Sequence, residues 1–153
     1  MRTLAAFALA LAVPHVAAAD TVTGDKSERL TYALRYAGAR ASAQKAVRTF
    51  VLDTVACVKT VDAGGNVADY ACTVASTPVK DATAYLLYTA LLDLGFVQTP
   101  VGDTKIKLSA QAIACAFDAS KTLDQRYACT GDDLVATPDN TKTVIHPIKI
   151  QKQ

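Results

Sequence analysis

Four cysteines, Cys57, Cys72, Cys115 and Cys129, are the side chains of this sequence best suited to chemistry. None falls in the C-x-x-C spacing that lowers a thiol pKa for redox work. They are also too widely spaced for the usual tetrahedral zinc sites. Disulfide bonding is what remains. The two histidines are His15, inside the first twenty residues, and His146, beside Pro147 near the C-terminus. A Ser-His-Asp or Cys-His site needs its histidine on a rigid scaffold, and a histidine on an expected edge strand does not meet that need. Glu28 is the only glutamate, and of the aspartates only Asp132 and Asp133 are adjacent. No calcium-loop, dinucleotide-binding or Walker pattern occurs. No catalytic residue, cofactor site or metal site is therefore expected, and the chain reads as a non-enzyme.

The residues left over are those that make contacts. Arg29, Tyr32, Arg35, Tyr36 and Arg40 lie off the apolar stripe of the first expected helix. Tyrosine and arginine are enriched at binding hot spots, so these five are the candidate partner-binding residues. The second expected helix carries Thr89 and Asp93 where the first has Tyr32 and Tyr36. Two hairpin tips, Ala63–Asn66 and Ser120–Asp124, are a further candidate surface. The net charge of +2 and the absence of any run of like charges give no nucleic-acid patch. A protein partner is expected, with no cofactor.

The N-terminus indicates the compartment. Arg2 precedes an unbroken apolar run from Leu4 to Val13, and Ala17-Ala18-Ala19 offers the small-x-small pattern of a signal-peptidase site. Residues 1–19 read as a signal peptide. A membrane-spanning helix needs about 20 apolar residues, more than this run supplies. Cleavage before Asp20 leaves a single domain, residues 20–153, exported to the periplasm or beyond. That environment is oxidising, which favours disulfides.

Two stretches of the chain match each other. Ala56-Cys57 recurs as Ala114-Cys115, and Tyr70-Ala71-Cys72-Thr73 recurs as Tyr127-Ala128-Cys129-Thr130. Upstream, Leu30, Ala33, Leu34, Ala37 and Gly38 match Leu87, Ala90, Leu91, Leu94 and Gly95 at a constant offset of 57. The expected organisation is one unit used twice, over about 25–75 and 83–133.

Each unit opens with a helix. Leu30, Ala33, Leu34 and Ala37 follow the i, i+3, i+4, i+7 stripe of a half-buried helix. Asp25 or Ser27 is the expected N-cap and Gly38 the C′ residue, with continuation through the alanine-rich 39–46 as the alternative. In the second unit Thr77-Pro78 reads as an N-cap and first-turn pair, and Gly95 ends the helix. The second helix is the more apolar and is expected to be the more buried.

Strands follow. Phe50, Leu52, Val55, Cys57, Val58 and Val61 form an apolar, β-branched stretch. Ile106, Leu108 and Ala110 alternate with Lys105, Lys107 and Ser109, the period of a strand with one wet face. Past Gln111 the apolar phase moves to Ile113, Cys115 and Phe117, which predicts a bulge or bend at 110–112.

Four cysteines allow three pairings, and the repeat selects the one within each hairpin. If Cys57 faces Cys72, the centre of the hairpin falls between Gly64 and Gly65, and Gly-Gly is a favoured two-residue turn. Val61 then faces Ala68. If Cys115 faces Cys129, the centre is Thr122, the turn holds an odd number of residues, and Phe117 faces Tyr127. Each bridge closes a loop of about 15 residues, which contributes about 3 kcal/mol in the chain-entropy model.

The expected fold is α+β. Two helices lie on one face of an antiparallel sheet made of two disulfide-stapled hairpins and a C-terminal strand, 143–150, reached through a linker at 134–142. A tandem helix-plus-hairpin plan with one bridge per unit resembles that of the secreted β-lactamase-inhibitor proteins. The likeness is one of architecture and carries no site residues across. Function is expected to be protein binding of an inhibitor or immunity type. The alternative is a carrier for a small apolar ligand, held between helices and sheet where Ala110, Ala112, Ala114 and Ala116 leave room.

Overall fold

The computed structural model describes residues 20–144. The expected signal peptide lies outside the described residues. So do both histidines and the part of the expected 143–150 strand beyond Val144. Thr143 and Val144 themselves are not in a strand.

The architecture is α+β, with two helices packed against an antiparallel sheet and two disulfides. In chain order the elements are β1 (Val22–Thr23), α1 (Asp25–Tyr36), β2 (Arg40–Gln44), β3 (Val47–Val61) and β4 (Val67–Val74). Then come β5 (Thr77–Lys80), α2 (Asp81–Asp93), β6 (Gln98–Val101), β7 (Lys105–Asp118) and β8 (Tyr127–Thr130). The sheet order is β1-β8-β7-β3-β4-β5, with β2 on β3 and β6 on β7. Two long strands, β3 and β7, form the spine. At one end of the spine α1 covers β8 and its neighbours; at the other, α2 covers β4.

The helix starts differ from expectation. Helix α1 begins after Gly24, at φ +95, with no side-chain cap, so neither Asp25 nor Ser27 is the N-cap. A Cβ at Gly24 would lie 2.8 Å from the Lys142 carbonyl oxygen, so the crossing of the two chain segments needs glycine there. Thr77-Pro78 does not start α2. Both residues pair with β4 as an edge strand, a position that tolerates the missing proline N–H, and the helix begins at Asp81. The helix ends agree with the glycines. Gly38 and Gly95 have positive φ, and Ala39 and Phe96 donate back to the carbonyls of Leu34 and Leu91. Alanine-rich 40–44 is not helical. It forms β2, the outer strand of a hairpin with β3. Nor is α2 more buried than α1. Each helix buries five residues: Ser27, Leu30, Thr31, Ala33 and Leu34 in α1, and Ala84, Leu87, Tyr88, Ala90 and Leu91 in α2.

Cys57 bonds Cys72 and Cys115 bonds Cys129, each pair directly opposed across an antiparallel ladder. Both bridges are buried beneath a helix. One sulfur in each lies 3.5 Å from a helix carbonyl oxygen, that of Ala84 for Cys72 and that of Ser27 for Cys129. The β7–β8 register places Phe117 opposite Tyr127 as the cysteine spacing requires. The β3–β4 register shifts at Thr60/Val61, so Val61 faces Val67 rather than Ala68. The connection there is not a two-residue turn. The Asp62 carboxylate accepts from the Gly64 and Asn66 amides and holds a wider loop, 62–66.

The phase change in β7 is present, with Leu108 and Ala110 buried before it and Ile113 and Cys115 after it. It is not a one-residue bulge. β3 changes phase at the same level, between Leu52 and Val55, and the β3–β7 register is unbroken on either side, from Leu52↔Ile113 to Thr54↔Gln111. Both strands turn together at Asp53 and Ala112, where Ala112 has φ +51. The segment 134–142 is not a free linker. Leu134 and Asn140 are buried, and the Asn140 amide donates to the Leu94 and Val135 carbonyls at 3.0 and 2.9 Å.

Candidate functional site

One end of the spine places aromatic rings beside free cations. The register sets Arg48 of β3 opposite Phe117 of β7, and Phe117 opposite Tyr127 of β8. Phe50 is two residues along β3, on the same face as Arg48. The Phe117 and Tyr127 rings lie 5.0 Å apart. From above, α1 brings Tyr32, whose ring is 6.1 Å from that of Tyr127 and whose hydroxyl is 3.4 Å from the Tyr127 hydroxyl. Arg35 follows one turn later. Between helix and sheet these residues and Thr31 enclose a cavity of about 200 Å³.

Arg35 and Arg48 line this cavity, and the Glu28 carboxylate lies against its Tyr127 hydroxyl. Arg29 pairs with Asp93, Arg40 with Asp53 and Lys26 with Asp139. Arg35 and Arg48 have no carboxylate partner among the described residues. Like charges at one opening repel unless an anion lies between them. Burial raises the Tyr127 phenol well above its ordinary pKa, helped by the Tyr32 hydroxyl and the Glu28 carboxylate. It stays protonated at neutral pH.

The five candidate residues divide. Tyr32 and Arg35 line the cavity. Arg29 is turned to α2 by its pair with Asp93. Tyr36 is 68% exposed and does not line the cavity. Arg40 is on β2, not on the helix, because α1 ends at Tyr36. Arg48, Phe50 and Thr31 were not among the candidates. Nothing in the spacing of Arg48 and Phe50 points to the cavity, because the β3–β7 register that brings them there leaves no turn or cysteine signal; Thr31 comes from α1.

Other hollows are less suggestive. One of about 860 Å³ between the β2–β3 turn and Asp118 has a mixed lining that includes Gln44, Lys45 and Val47 and no aromatic ring, and Ser120 already satisfies Asp118. One of about 670 Å³ at the start of α1 has Lys26 and Arg29 in ion pairs. The four alanines expected to leave room under the helices do not face one space. Ala110 is buried, Ala112 is exposed, and Ala114 and Ala116 alternate with the buried Ile113 and Cys115 and so face away from the helices. Among the described residues no three histidine, cysteine or acidic side chains gather to hold a metal, and no helix is long and apolar enough to cross a membrane.

Two disulfides fit an extracellular or periplasmic protein. Comparison with protein-family models, with curated proteins and with solved structures finds no match, so the architectural likeness to β-lactamase-inhibitor proteins gains no support there.

Proposed function

We propose that the mature protein, residues 20–153, is an exported binding protein of the inhibitor or immunity type. It acts on a protein partner and catalyses nothing. The observation that carries this reading is the aromatic–arginine surface of α1 and the adjoining sheet end. Tyr32 and Tyr36 are 42% and 68% exposed, and Arg35 and Arg48 are without counter-ions among the described residues. Rigid tyrosines and arginines give contact area at low entropic cost. The disulfides under both helices support it, since a stiff scaffold lowers the cost of ordering an interface. A duplicated unit is part of the same proposal: one copy keeps the scaffold role and the other carries the contacts.

The test is capture by the immobilised mature protein, with cross-linking and mass spectrometry of what is held. A partner recovered by the wild type and lost by Tyr32→Ala/Arg35→Ala/Tyr36→Ala is the expected result. Equal capture by wild type and variant, or none by either, sinks the reading. The leader is checked separately: intact mass of the exported product should correspond to a chain starting at Asp20.

A further inference from the structure

The two ends of the spine differ in one way that points to a ligand. Seven residues before its terminal glycine, α2 carries Tyr88, and α1 carries Thr31 at the same distance from Gly38. Both are buried. The Tyr88 ring lies 5.3 Å from that of Tyr70, the Lys59 ammonium is 5.6 Å from its centre, and its hydroxyl donates to Gln98 at 2.5 Å. The chain thus supplies its own aromatic ring beneath α2. Beneath α1 the short Thr31 hydroxyl donates back to the Ser27 carbonyl and lies 3.9 Å from the Cys129 sulfur, and the space beside it is the cavity walled by Phe50, Phe117 and Tyr127.

We infer that this cavity takes an aromatic side chain of a protein partner, with a neighbouring carboxylate of that partner held by Arg35 and Arg48. The inference rests on the binding reading above and names its chemistry. At about 200 Å³ the space suits one side chain, and it is smaller than the clefts of about 300–1,000 Å³ that hold drug-sized molecules. Its walls are rings, which pair edge-to-face with an incoming ring. Arg35 and Arg48, both exposed, line the cavity, and the planar fork of a guanidinium matches a carboxylate. A cation also faces the ring at the filled end, where Lys59 lies over Tyr88.

The test uses three probes on the intact mature protein: N-acetyl-Asp-Phe-amide, N-acetyl-Asn-Phe-amide and N-acetyl-Asp-Ala-amide. Ring NMR signals of Tyr32, Phe50, Phe117 and Tyr127 report the cavity. The Asp-Phe probe should shift them saturably, and the other two should bind at least tenfold more weakly. The exposed pair Arg35→Gln/Arg48→Gln should lower affinity at least tenfold, whereas Arg40→Gln should leave it unchanged. Thr31→Tyr should close the cavity and abolish binding; if it does not fold, the arginine pair decides the matter alone. The inference is overturned by no saturable shift, by equal binding of the Asp and Asn probes, or by an indifferent arginine pair. Partner capture through Tyr36 with no probe in the cavity overturns this inference and leaves the binding reading standing. Probe binding without any captured partner leaves the chemistry of the cavity standing and overturns its assignment to a protein partner.

Discussion

Single residues decide where the molecule is complete and where it is open. Tyr88 closes one end of the spine with its own ring, and Thr31 leaves the other unfilled. Tyr127 is the titrating group at the open end. Its folded pKa lies above the ordinary 10.0 of a phenol. The unfolded chain therefore loses that proton first, and the stability is present in full below pH 10 and lost as pH rises toward the folded value. Alkaline unfolding of the wild type should steepen above pH 10, and Tyr127→Phe should flatten that limb; identical alkaline limbs would contradict the assignment. Tyr32 and Arg35 were legible as exposed helix residues because a helix period separates its buried stripe from the rest. Arg48 was not, since its place opposite Phe117 depends on how two distant strands align.

At the scale of elements, local signals located the helices and misplaced their starts. The stripe ending at Gly38 and Gly95 is a matter of side-chain period and left-handed glycine geometry, and both are local. The start of α2 is not local, because Thr77-Pro78 is drawn into an edge strand by β4. That strand costs strain. The two-residue turn between β4 and β5 places Ala75 and Ser76 at φ +44 and +68, conformations natural to Asn-Gly. Ala75→Asn with Ser76→Gly should raise stability by about 1 kcal/mol, read as a shift of the urea midpoint. No gain would mean the turn relaxes in solution. The phase change of β7 was visible from the slip in its apolar pattern. The matching change in β3 was not, because Asp53-Thr54 reads as an ordinary polar break.

Across the whole molecule the disulfides join each long strand to its neighbour under a helix. Removing either pair, as Cys57→Ala/Cys72→Ala or Cys115→Ala/Cys129→Ala, should cost about 3 kcal/mol, measured by denaturant unfolding. A loss under about 1 kcal/mol would show that the helices alone hold the ladder register. The closing segment adds a second tie. Asn140 donates to the last turn of α2, Lys26 pairs with Asp139, and the Val144 amide donates to Asp25 at 2.6 Å. Sequence alone determined the α+β class, the two helix stripes, the bridges and the second hairpin register. Each follows from periodicity or from cysteines and turns a few residues apart. The sheet order, the four added strands β1, β2, β5 and β6, the ordered closing segment and the cavity were decided only by tertiary structure. They depend on pairings between residues far apart in the chain, such as Arg48 with Phe117, which local pattern does not record.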